Sequence, residues 1–237
     1  MSKEIAVLMA AGLGTRMRPL TDTMPKPLVK VKGIPMIETV IGGLRSRGIE
    51  EIYVVTGYLK DRFSYLTTKY PGLTLVENTQ YRTVNNISSV KAVTDIIRGR
   101  DTFICEADLY IPDPGVFHAD LKGSCYFGKF VSGHSDDWIF EQEGSGRITR
   151  VGKVGDDCYN MCGVAFFMAK EASVIADAID ERYKHPGFED LFWDDVVNDN
   201  LDKLSLTVHP IETDQIVEID SVEELCVVDP KYLEIDK

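Results

Sequence analysis

Residues 8–26 read LMAAGLGTRMRPLTDTMPK, and the rest of the chain makes sense around them. Just before, residues 4–10 form an apolar segment with the length and Val/Ile/Leu content of a buried parallel strand. A glycine-bearing loop opens directly off it. Gly12 and Gly14 allow positive φ and let backbone N–H groups approach a ligand with no Cβ in the way, so the loop can cradle phosphate oxygens. Arg16 supplies a planar fork and Lys26 a movable point charge. Pro19, Pro25 and Pro27 stiffen the return, so Lys26 is aimed with less entropy to lose. A Gly-x-Gly pair alone is also an ordinary turn. Charge argues for more: residues 1–32 carry six Lys/Arg (Lys3, Arg16, Arg18, Lys26, Lys30, Lys32) against Glu4 and Asp22, in a chain of net charge −12. A polyphosphate ligand accounts for a cationic island on an acidic protein.

The 237 residues, 44% hydrophobic and 27% charged, suffice for a proper core. With no basic stretch beyond the first loop, nucleic-acid binding is not expected. No apolar run reaches transmembrane length, and the short one near the start continues into the glycine loop rather than forming a signal-peptide core. A cytoplasmic protein without membrane insertion is the expectation. The five cysteines are scattered; only Cys158 and Cys162 are close, and no histidine or second cysteine pair completes a zinc set, so buried thiols are expected.

Along the chain, a helix begins near Pro35 with Ile37, Val40, Ile41 and Leu44 on its apolar face and stops at Gly48. A strand over 51–56, a helix over 59–69 and a strand over 73–77 follow. This β-α-β-α-β order implies right-handed crossovers and a parallel sheet. A polar loop, 78–89, leads into a helix ending at Ile97, and 102–107 is again an apolar strand with Asp108 at its carboxyl end. In open α/β sheets the ligand crevice lies there. Beyond 124 the texture changes to β segments over 124–131, 138–143, 147–154 and 159–168, with a hairpin turn at 144–146. Helices over 170–183 and 188–201, strands over 204–210 and 215–220, and a helix starting at Ser221 complete the pattern.

The loop is neither a Walker loop nor a dinucleotide fingerprint. Instead AAGLGTRMRPLT (10–21) followed by PKPL (25–28) resembles the signature of the nucleotidyltransferases that make sugar nucleotides and related activated metabolites. That resemblance implies an α/β fold with a Rossmann-like, mixed, mostly parallel sheet flanked by helices, in one domain spanning 1–237: a nucleotide-binding half over 1–123 and an acceptor-binding half over 124–237. It sets Ala10, Ala11 and Gly12 against base and ribose, Gly14, Thr15 and Arg16 on the triphosphate, and Lys26 at the reacting phosphates. Asn78, Asn85, Asn86 and Ser88 become candidates for reading the base edge. Asn86 as an N-cap and Asn85 as a turn residue is an equally open reading. Many sugar-type members carry Gly-Thr here; Asn-Asn resembles the cytidylyltransferase branch. FICEADLY (103–110) resembles the strand whose terminal Asp binds metal, and EIDS (218–221) the late segment that completes that site. Asp108 and Asp220 are thus expected to hold Mg²⁺, which needs only one or two carboxylates beside substrate phosphates. Glu218 projects to the same side of its strand.

For the acceptor, DDW (136–138) and FEDLFWDD (188–195) stand out. Aromatic faces with nearby carboxylates recognise quaternary ammonium groups, although Trp138 and Trp193 are as readily core or rim aromatics. These stretches resemble the bacterial phosphocholine cytidylyltransferases over essentially the whole chain. The resemblance implies that CTP and phosphocholine give CDP-choline and pyrophosphate, with Tyr110, Lys129, Asp137, Trp138, Trp193 and Glu218 as acceptor-binding candidates. The alternatives are 2-aminoethylphosphonate, whose primary ammonium favours carboxylates such as Asp136 and Asp137, then a sugar-1-phosphate, and outside catalysis a nucleotide-sensing subunit. An acceptor that is already a phosphate monoester is ionised at neutral pH, so no general base is required, and no histidine is assigned chemistry.

Overall fold

Side chains of Ile5–Ala10 alternate between two cores. Ala6, Leu8 and Ala10 pack with Ile37, Val40, Ile41 and Leu44 on one side; Ile5 and Val7 pack with Ile87, Val90, Ile175 and Ala176 on the other. A strand covered on both faces belongs in the middle of a sheet flanked by helices. The structure, a computed structural model, describes residues 4–234, so Lys3 of the cationic island lies outside the described residues.

Seven strands form the main sheet, in the order Leu206–Pro210, Ser124–Gln142, Ile148–Phe167, Thr102–Glu106, Ile5–Ala10, Ile52–Thr56, Leu73–Glu77. Ile5–Ala10 pairs in parallel with both Ile52–Thr56 and Thr102–Glu106. Ile148–Phe167 runs antiparallel to both its neighbours, giving the mixed, mostly parallel α/β sheet expected from the sequence. Ala10, Thr56, Glu77 and Glu106 end their strands on one edge, and the glycine loop and Asp108 leave from it. Among the described residues no helix is long and apolar enough to cross a membrane.

Several elements depart from their local patterns. The expected helix over 59–69 is a 3₁₀ turn, Lys60–Phe63, followed by the short helix Tyr65–Lys69. The expected helix ending at Ile97 splits into Ile87–Lys91 and Thr94–Ile97, with Val93 between them at φ −126°. Of 188–201 only Trp193–Asn198 is α-helical. The segment before it is held elsewhere: Asn85 N–H donates to the Glu189 carbonyl at 2.7 Å and Trp193 N–H to Asn86 Oδ1 at 2.9 Å. The four β segments expected beyond 124 are two long, bent strands. Ile139 and Phe140 pair with Gly152 and Val151 and also with Asn160 and Tyr159, so the ribbon folds back on itself.

A third, small core gathers Met17, Val29, Val31 and Met36 with Ile219 and Leu225. It packs the return of the glycine loop against the start of the last helix, Val222–Val228, although nearly 200 residues separate them in sequence. Ser221 begins that helix with the capping box its sequence suggests: Ser221 Oγ accepts from Glu224 N–H at 3.1 Å, and Glu224 Oε2 accepts from the N–H groups of Ser221 and Asp220 at 3.2 and 2.6 Å.

Candidate active site

A cleft of about 320 Å³ opens at the carboxyl edge of the sheet, and its walls combine Ala10, Ala11, Gly12, Gly14, Thr15, Arg16 and Lys26 with Asn86, Ser89, Glu106, Asp108, Glu218 and Asp220. Three pieces of chain meet here for identifiable reasons. The glycine loop arrives on the central strand. Asp108 follows the adjacent strand. The late segment is brought in by a two-residue antiparallel ladder, Val217 with Tyr110 and Glu218 with Leu109, and Asp220 is steadied by its N–H bond to Glu224.

Gly14 takes φ +61°, and a Cβ there would meet Lys26 Cβ at 2.9 Å, so this glycine is needed both for its turn and for close packing. Gly12 differs from expectation: it is not among the positive-φ residues, and nothing lies within 4 Å of where its Cβ would be. Its missing side chain leaves open space in the cleft wall.

Lys26 is the electrostatic centre. Its ammonium lies 2.6 Å from Asp108 Oδ2 and 2.5 Å from Asp220 Oδ1, and Arg16 approaches Asp220 Oδ2 at 3.0 Å. Burial alone would lower the Lys26 pKa; Asp108 and Asp220 outweigh it and hold the pKa above the usual lysine value. Of the described residues of the cationic island, Arg16 and Lys26 line the cleft, and Arg18, Lys30 and Lys32 are exposed elsewhere. The same two aspartates, from distant segments, could hold a divalent cation such as Mg²⁺, which needs only one or two protein carboxylates beside other oxygen ligands.

Two more carboxylates join them. Glu218 opens into the cleft, and enclosure, Asp220 and Asp108 push its pKa up to about 7. Glu106 was missed in the sequence, although its i, i+2 relation to Asp108 in FICEADLY was a usable signal. Burial, and then the charge of Asp108, raise its pKa well above the carboxylate range. Gly163 at φ +68° leaves it room: a Cβ there would meet Glu106 Oε2 at 3.0 Å.

Other sequence candidates are corrected by their contacts. Asn78 is buried; its amide donates to Ser88 Oγ at 2.8 Å and Ser89 Oγ at 3.2 Å, so it braces the loop from behind. Ser88 is buried too and donates to the Asn85 carbonyl at 2.7 Å, while Ser89 lines the cleft. Asn85 donates to the Asp190 carbonyl at 3.2 Å, tying two loops together, and Asn86 alone of the three asparagines lines the cleft. Lys129 donates to the Ile216 carbonyl and thereby supports the late segment. Tyr110 packs against the small third core, with the Lys32 ammonium 5.7 Å from its ring. Trp193 is not a cage wall: it is 3% exposed, its ring stacked 5.9 Å from Tyr126. The apolar face of its short helix had to be buried against the sheet. Trp138 and Asp137 stay near the surface, and Asn160 Nδ2 donates to Asp137 Oδ2 at 3.2 Å.

Comparison with known proteins identifies the family. The family described as nucleotidyl transferase matches residues 5–121. The chain is 52% identical over 231 residues to the 2-aminoethylphosphonate cytidylyltransferase of Lancefieldella rimae, covering 98% of this chain and 94% of that protein. It is 35% identical over 225 residues to the choline-phosphate cytidylyltransferase of Streptococcus pneumoniae, covering 92% and 94%. The solved structure of the CTP:phosphocholine cytidylyltransferase from Streptococcus pneumoniae superposes with a TM-score of 0.88 at 35% identity, covering 99% of this chain and 100% of that one. A strand-borne glycine loop, its lysine and two converging aspartates thus occur in a chain that belongs to the nucleotidyltransferase family and, within it, to the cytidylyltransferases.

Proposed function

We propose that this cytidylyltransferase transfers CMP from CTP to 2-aminoethylphosphonate, releasing pyrophosphate. The observation that carries this reading is the lining of the acceptor side. Glu106 and Glu218 bring carboxyl groups into the cleft, each crowded by neighbouring acids so that a bound cation would favour its ionised form, whereas Trp193 is buried. A primary ammonium seeks carboxylate acceptors; a trimethylammonium, which has no N–H to donate, seeks aromatic faces. The activity named for the 52% identical relative supports the same choice. Phosphocholine, the acceptor implied by the sequence resemblance, is the second reading. It draws on the 35% identical relative and on Trp138, which is half-buried rather than fully enclosed.

In the reaction a phosphonate oxygen, already ionised, attacks the α-phosphorus of CTP. A new P–O bond forms as the bond from the α-phosphorus to the bridging oxygen of pyrophosphate breaks, and those electrons leave on pyrophosphate. The protein's part is positioning and charge neutralisation. Gly12 and Gly14 bring backbone close to the nucleotide, Arg16 attracts the triphosphate, and Lys26 exchanges carboxylate partners for phosphate oxygens. Asp108 and Asp220 would hold Mg²⁺, which supplies further neutralisation of the phosphate oxygens. Among the described residues no histidine lines the cleft, in keeping with an acceptor that needs no general base.

The test is pyrophosphate release with Mg²⁺ and CTP against 2-aminoethylphosphonate, phosphocholine, phosphoethanolamine and glucose-1-phosphate. The highest kcat/KM is expected for 2-aminoethylphosphonate; a higher value for phosphocholine refutes the reading.

A further inference from the structure

Trp138 does have an aromatic partner: the ring of Phe192 lies edge-on to it, centroids 5.3 Å apart and planes at 66°. This corner adjoins the cleft: Phe192 precedes Trp193, whose N–H donates to Oδ1 of the cleft residue Asn86 at 2.9 Å. Into it the protein inserts an ammonium of its own. Lys153, the cross-strand partner of Trp138, has its Nζ 5.6 Å from the Trp138 centroid and 5.3 Å from that of Phe192. Both distances fall within the roughly 6 Å over which a cation is attracted to a ring face.

The placement of Lys153 is held from behind. Its carbonyl accepts from Arg150 Nη2 at 2.5 Å and the Val154 carbonyl from Arg150 Nη1 at 3.3 Å; Val154 itself sits at φ +67°, a turn that a β-branched residue adopts only when its surroundings impose it. Asp156 and Asp157 follow closely in sequence, yet among the described residues Lys153 makes no ion pair. Lys153 is exposed, and its head group lies over the two rings.

We propose that Lys153 determines acceptor specificity by occupying the Trp138–Phe192 corner, denying those ring faces to a quaternary ammonium head and leaving the acceptor's primary ammonium to the carboxylates of the cleft. This deepens the aminoethylphosphonate reading and rests on it.

The test is Lys153→Met, which keeps the apolar stem and removes the charge, with Lys153→Arg as the variant that keeps a cation over the rings. In Lys153→Met the ratio of kcat/KM for phosphocholine to that for 2-aminoethylphosphonate should rise by about tenfold, and Lys153→Arg should stay near the wild-type ratio. Independently of turnover, calorimetric titration with choline chloride should find binding to Lys153→Met about tenfold tighter than to wild type, abolished again in Lys153→Met/Trp138→Ala. An unchanged acceptor ratio together with unchanged choline affinity overturns the proposal, as does an equal loss of activity with both acceptors, which would make Lys153 a contact to the phosphonate. Wild-type preference for phosphocholine would instead refute the acceptor assignment of the preceding section, and choline titration of the variants would still decide what Lys153 does.

Discussion

Replacing Lys26 by Met tests the centre of the site, because this one ammonium pairs with both aspartates and is the group proposed to meet the reacting phosphates. Lys26 has 9% of its side chain exposed, and its partners Asp108 and Asp220 have 24% and 22% exposed. Removing one member of a fully buried ion pair costs about 3–5 kcal/mol, because it strands the opposite charge. Here the aspartates keep partial access to water, which lowers the expected cost to about 1–3 kcal/mol. For a chain of this size that corresponds to a fall in Tm of about 2–10 °C in EDTA, followed by differential scanning calorimetry. Mg²⁺ should restore more of the Tm in the variant than it adds in the wild type, since it no longer competes with an internal cation for the same two carboxylates. Turnover should fall by about 10²–10³ in kcat, the usual effect of deleting a donor aimed at developing charge. A kcat within about threefold of wild type would refute the assignment of Lys26 to the reacting phosphates. An equal effect of Mg²⁺ on both proteins would refute the shared cation site.

Asp108→Ala should abolish pyrophosphate release at any Mg²⁺ concentration, whereas EDTA should abolish it reversibly in the wild type; near-normal activity in the variant would remove Asp108 from the metal site. The two loop glycines should separate cleanly. Gly12→Ala fills open cleft space and should raise the KM for CTP with little change in Tm, while Gly14→Ala forces a Cβ into Lys26 at positive φ and should cost about 1 kcal/mol or more in urea unfolding as well as kcat. Asp194 carries a pH signature: burial, with the charge of Asp195, raises its pKa from 3.8 to about 7, although the Tyr126 hydroxyl donates to it at 3.0 Å. Between those values the folded protein keeps a proton that the unfolded chain has lost, so this group's effect on stability worsens as pH rises. Asp194→Asn should therefore be nearly neutral at pH about 4 and stabilising by about 1–4 kcal/mol at pH about 8 in urea unfolding of the ligand-free protein; equal effects at both pH values would contradict it.

The two tryptophans show how one sequence pattern can end in two environments. Trp138 and Trp193 look alike on paper, each beside carboxylates. Trp193 lies on the inward face of a short helix and is consumed by the core, while Trp138 sits on a ribbon edge where Phe192 and Lys153 reach it. Asn78 and Ser88 share a polar loop with Asn86, but only Asn86 and Ser89 turn toward the cleft; the others meet the loop's own hydrogen-bonding needs.

From its sequence alone this chain is committed to a strand running into a cationic glycine loop, to β-α-β crossovers and so to a mostly parallel sheet, and to a capping box at Ser221. Each rests on residues a few positions apart, where backbone sterics, hydrophobic period and local hydrogen bonds act without the rest of the molecule. Tertiary structure decided the remainder. It brought Asp220 and Glu218 beside Asp108 through a two-residue ladder, packed Met17 on Ile219, and seated Lys153 over two rings from different elements. Those contacts join segments tens to hundreds of residues apart. They form because apolar faces must be buried and charges must find counter-charges once the chain is compact, and no local period encodes which distant partner satisfies them.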